Sequence, residues 1–146
     1  MATDTLYKDI LLEHSRHPRN KGELEGADVV CRGSNPRCGD EVEVGLFMQG
    51  DRLQSVRFRG RGCSVCMASS SLMTEAVSGR SRSEARNLCQ QMQAWFAPGD
   101  GTDVAEPLPA LGALEAVRGY PARRRCVLLS WEALSEALAA LPWSLR

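Results

Sequence analysis

The sequence predicts one domain in which a small three-stranded antiparallel sheet lies beside several helices. Three observations carry that expectation. Apolar and polar residues alternate from Glu41 to Leu46 and again around Val56–Arg59, with Gln49-Gly50-Asp51 between them as a hairpin turn. From Ser64 onward the apolar period lengthens to three and four residues. The chain has 146 residues, and dividing them between two cores would leave each half near the size where folding alone becomes marginal.

In chain order, Thr3 or Asp4 is positioned to cap a first helix that turns Leu6, Ile10 and Leu11 inward and leaves Glu13 and Arg16 outside. It should stop near His17-Pro18, because the residue before a proline is pushed out of helical geometry. A loop from Lys21 leads to a short strand over Ala27–Arg32, and the turn formers of Gly33–Asp40 predict irregular chain. Val42, Val44 and Leu46 then line one face of a second strand, and Leu53, Val56 and Phe58 lie on the return strand. The next helix should carry Met67, Ser71, Leu72 and Met73 and end at Gly79. Ser81 and Glu84 match a capping box, followed by a stripe of Ala85, Leu88, Cys89, Met92 and Trp95 or Phe96. Residues 98–112 hold three prolines and no periodicity, so they read as a long loop; a short helix around Leu114 and Val117 follows. Pro121 suits the first turn of a last helix that Pro142 should finish.

Composition excludes several function classes. Lys+Arg and Asp+Glu are equal at 18 each, so no overall field would draw nucleic acid or an anionic membrane. No uninterrupted apolar run approaches the length of a membrane span. Six cysteines would allow three disulfides, but the opening Met-Ala-Thr-Asp-Thr-Leu-Tyr-Lys lacks the pattern of a secretion signal, which argues for a reducing cytosol and for metal or redox chemistry. His14 and His17, the only histidines, read as surface residues at a helix end. A metal site deeper in the chain must therefore use thiolates and carboxylates.

Cys38 and Asp40 flank Gly39, and side-chain direction repeats every two residues, so the pair can chelate one ion from one loop; a plain turn is the competing reading. Cys63 and Cys66 form a Cys-x-x-Cys pair between Gly60-Arg61-Gly62 and a helix. A redox pair is one interpretation, although the preceding hairpin is not a βαβ unit. The other is a single inward Cys63 with Cys66 packed inside or serving as a further ligand. Cys126 follows Arg123-Arg124-Arg125 near a helix N-terminus, where both features would favour the thiolate. A packed thiol among solvated arginines competes with that reading, and for Cys31 and Cys89 the buried free thiol is the reading adopted.

Taken together, Asn35-Pro36-Arg37-Cys38-Gly39-Asp40, Gly60-Arg61-Gly62-Cys63 running into Met67–Thr74, and Pro121–Cys126 with Leu129-Ser130-Trp131 resemble the SufU-type iron-sulfur cluster assembly proteins. The resemblance extends over residues 5–140 and includes Leu6-Tyr7 and His17-Pro18-Arg19-Asn20. It implies an α+β domain and a zinc site formed by Cys38, Asp40, Cys63 and Cys126. In the related IscU-like scaffolds a histidine precedes the last cysteine; here that place is Arg125, and the 98–112 loop resembles the insertion of the SufU branch. The resemblance further implies sulfur transfer from a pyridoxal-phosphate (PLP) cysteine desulfurase of the SufS type. Cys38 would be the persulfide acceptor, and Arg123 and Arg125 would dock the partner or support the site. An alternative role is that of a scaffold holding a transient iron-sulfur cluster for apo-proteins or downstream assembly factors. Cys66 departs from the branch, where serine is usual.

Overall fold

Alternation, hairpin and helical stripe appear in the computed structural model in the predicted order: α1 (Ala2–Arg16), β1 (Val29–Asn35), β2 (Asp40–Gln49), β3 (Arg52–Arg61), α2 (Ser64–Val77), α3 (Arg82–Trp95), a 3-10 helix (Pro109–Val117) and α4 (Pro121–Ala140). The structure describes residues 2–36, 39–97 and 106–142, with side chains from Lys8 onward. The strands form one antiparallel sheet in the order β1-β2-β3, with Cys31 opposite Val44 and Val44 opposite Phe58. This is an α+β fold.

The period-2 pattern fixes which sheet face is buried. Val42, Val44, Leu46, Leu53, Val56 and Phe58 are fully buried, whereas Arg32, Glu41, Glu43, Arg59 and Arg61 pair across strands on the other face. α2 packs against α1, β3, the 3-10 helix and α4, so it is buried almost all round. Its hydroxyls are accordingly satisfied: Ser69 donates to the Val127 carbonyl at 2.7 Å and Ser70 to the Cys66 carbonyl at 2.8 Å. The Ser81–Glu84 capping box forms in full, and α3 buries the predicted stripe.

Four expectations are corrected. α1 begins at Ala2, so Thr3 and Asp4 lie within it and do not cap it. β1 continues through Gly33 to Asn35, because pairing with β2 overrides local turn preference; Gly33 also lets α4 approach, since a Cβ there would stand 3.1 Å from the Leu129 carbonyl oxygen. His14 is buried rather than exposed, with Nδ1 2.7 Å from the Ser71 hydroxyl on α2, a tertiary contact that periodicity does not reveal. The loop expected to run to residue 112 gives way to the 3-10 helix at Pro109, whose Leu111 and Leu114 enter the core. Residues 98–105 lie outside the described residues.

Candidate metal centre

The end of the sheet beside α2 gathers three of the predicted ligands. Asp40 opens β2 opposite Asn35, and its side chain is buried to 1% exposure. A carboxylate there needs partners, and the Cys63 backbone N–H supplies one by donating to Oδ1 at 3.1 Å. Cys63 caps the N-terminus of α2 in extended geometry, and its Sγ accepts the Cys66 N–H at 3.4 Å. The Cys63 thiol reaches Oδ2 of Asp40 at 3.7 Å. Cys126 comes from the first turns of α4 and is buried to 2% exposure. One ligand atom each from Asp40, Cys63 and Cys126 lies within 4.8 Å of the others.

Two glycines make this convergence possible. Gly60 has φ +144, and a Cβ on it would fall 2.1 Å from the Glu41 carbonyl oxygen. A Cβ on Gly62 would stand 2.9 Å from Oδ1 of Asp40 and 3.1 Å from Sγ of Cys66. The chain thus turns against β2 with no room for a side chain, bringing Cys63 onto the Asp40 carboxylate.

Electrostatics around Cys126 reverse one expectation. Burial, then the neighbouring Cys63 and Asp40, push its thiol from an ordinary value near 9 up to about 12. The helix N-terminus and the arginine cluster were expected to lower it. Desolvation and adjacent acceptors outweigh them, so without a cation the thiol keeps its proton. Arg123 does bear on the site: interaction with the neighbouring Cys126, and secondarily Cys63, raises the pKa of its exposed guanidinium. Arg125 turns along α4 to Glu132, with both carboxylate oxygens at 3.2 Å, and does not join the cluster.

Cys38 lies outside the described residues, although Asp40 two residues on occupies the site. Cys66 is fully buried in the core and stands outside the three-atom group. Burial, then Asp40, raises its thiol pKa far above the usual range. Cys89 is buried and pushed up to about 12 by desolvation, whereas Cys31 is half-buried. Sequence reasoning missed the wall that Gly62 forms against Asp40, because such close approach depends on the folded register.

A mixed thiolate and carboxylate set, mostly buried and converging within one ion's reach, fits a zinc ion by its donor chemistry. The family model for the NifU-like N terminal domain matches residues 6–142. The chain belongs to this family. Among NifU-like relatives, the zinc-dependent sulfurtransferase SufU of Bacillus subtilis is 37% identical over 136 residues, covering 93% of this chain and 91% of that protein. The iron-sulfur cluster assembly scaffold protein IscU of Streptococcus pyogenes is 34% identical over 133 residues, 91% of this chain and 82% of that protein. The N-terminal part of a nitrogen-fixing NifU-like protein from Brucella abortus superposes with a TM-score of 0.80 at 25% identity, covering 95% of this chain and 96% of that one. Among the described residues no helix is long and apolar enough to cross a membrane.

Proposed function

We propose that this NifU-like chain is a zinc-dependent sulfur acceptor in iron-sulfur cluster biogenesis, taking persulfide sulfur from a PLP-dependent cysteine desulfurase of the SufS type. The observation that carries the reading is the Asp40–Cys63–Cys126 convergence, in a chain whose relative from Bacillus subtilis is a zinc-dependent sulfurtransferase. Asp40, Cys63 and Cys126, with Cys38, would hold the ion. Bound zinc would keep its cysteine ligands deprotonated at neutral pH. Asp40 would anchor the site through the Cys63 N–H, and Arg123 would balance the negative charge of the thiolates.

In the transfer itself the Cys38 thiolate attacks the outer sulfur of the desulfurase persulfide. The new S–S bond forms on Cys38, the old one breaks, and the desulfurase cysteine leaves as thiolate, so no external oxidant or reductant is consumed. Cys31, Cys63, Cys66, Cys89 and Cys126, the described cysteines, are free thiols, which suits a reducing cytosol. The test is sulfide release by the cognate desulfurase with free cysteine, in the presence and absence of this protein. Stimulation by the wild type and its loss in Cys38→Ala are expected; full stimulation by the variant rejects the reading.

The likeness to the Streptococcus pyogenes scaffold favours a second role, assembly of a transient cluster on the same cysteines for delivery to apo-proteins or downstream assembly factors. Anaerobic reconstitution followed by transfer to an apo-ferredoxin tests it. A colourless product that retains zinc rejects it.

A further inference from the structure

Among the described residues, Cys66 is the thiol beside the centre that the sulfur-acceptor mechanism leaves unused. It lies in the first turn of α2, one helical turn beyond Cys63, and its backbone N–H already points at the Cys63 sulfur at 3.4 Å. Its Sγ and Oδ1 of Asp40 crowd the same point, the position where a Cβ on Gly62 would stand 3.1 and 2.9 Å from them. Cys66 is wholly buried, and the Asp40 carboxylate, Cys63 and Cys126 are all close enough to bear on its thiol electrostatically.

We propose that Asp40, Cys63, Cys66 and Cys126 form a second complete four-ligand set, with Cys66 as a reserve ligand that keeps the metal bound when Cys38 is not coordinating it. Cys66 sits outside the tight three-atom group, but its sulfur and the Asp40 carboxylate both border the space beside Gly62, so its short side chain starts next to one of the three ligands. On binding, the Cys66 S–H gives its proton to solvent and the sulfur takes the vacant position, with no change of oxidation state. Four protein ligands would thereby still hold the ion through the period in which Cys38 carries sulfur. The consequence is a centre that releases its nucleophile without losing its ion.

The inference rests on reading Asp40, Cys63 and Cys126 as ligands, and cobalt(II) substitution tests the two separately. Failure of the wild type to bind one cobalt ion per chain rejects that underlying reading. Given binding, the sulfur-to-cobalt charge-transfer band counts thiolates. Wild type and Cys38→Ala should both show three-thiolate intensity and retain the metal through dialysis. Cys38→Ala/Cys66→Ser and Cys38→Ala/Cys66→Ala should fall by about one third in band intensity, the step from three thiolates to two, and lose metal to a chelator that spares Cys38→Ala. Two-thiolate intensity in Cys38→Ala overturns the proposal without any change at the buried Cys66. Equal intensity and retention in the single and double variants overturn it as well. Circular dichroism of Cys66→Ala, expected to match the wild type, separates ligand loss from unfolding.

Discussion

Cys63 and Cys126 bring the same chemical group to the same point by opposite means. Cys63 is half-buried on a turn whose form is written locally, with Gly60, Gly62 and an N-cap position within four residues. Cys126 lies within a helix, buried by packing of α4 on the sheet and α2, and its thiol is held protonated by that burial and by the neighbouring Cys63 and Asp40. The difference teaches that one corner is built by backbone geometry and the other by tertiary desolvation. Each should fail in its own way.

The largest effect should come from the backbone corner. Gly60→Ala forces a Cβ to within 2.1 Å of the Glu41 carbonyl at a positive φ. It should cost roughly 2–4 kcal/mol of stability, visible as a lower urea midpoint, and should shift the whole β3–α2 connection. Gly62→Ala is milder. The Asp40 carboxylate must yield to the new methyl group, at about 1–2 kcal/mol, and metal retention should fall more than folding stability does. If the two variants lose metal only in proportion to their loss of stability, the turn is a folding element rather than a site element.

These two corners also explain how much was legible in the sequence. The strand alternation, the Ser81–Glu84 box, Pro121 at a helix start and the glycine-flanked turn are local signals, and each appears where residue pattern placed it. What was not legible came from packing. Asn35 joins β1 because β2 is alongside it; His14 is buried because Ser71 lies across from it; and the Cys126 thiol rises because Asp40 and Cys63, distant in sequence, come to face it. Arg123 and Arg125 sit on one helix two residues apart, and only the fold shows that the sulfurs of Cys126 and Cys63 bear on one while the other pairs with Glu132.

The desolvated corner should reveal itself through pH. Cys126 is raised from near 9 to about 12 in the folded, metal-free protein, and Cys89 likewise to about 12. A raised folded-state pKa gives stability that is complete below the unfolded value and is lost as pH climbs through the folded one. Thermal melts of the metal-free protein should therefore drop progressively between about pH 9 and 12. Cys126→Ser should flatten part of that drop, and Cys89→Ala a separate part. A metal-free protein whose melting is unchanged across that range would contradict the account of this corner.

The smallest effect belongs to Arg125. Its pair with Glu132 is exposed, so Arg125→Ala should change stability by less than about 1 kcal/mol and leave metal content unchanged. If metal content falls, Arg125 acts on the centre after all, and the separation between site-facing Arg123 and surface-paired Arg125 does not hold.

The most direct measurement is mass-spectrometric mapping of sulfur after the zinc-loaded protein is mixed with its desulfurase and free cysteine. The account predicts that the peptide bearing Cys38 gains the mass of one sulfur atom, and that Cys63 and Cys126, held in the centre, do not. Sulfur found on Cys63 or Cys126 in place of Cys38, or on no cysteine at all, would contradict it.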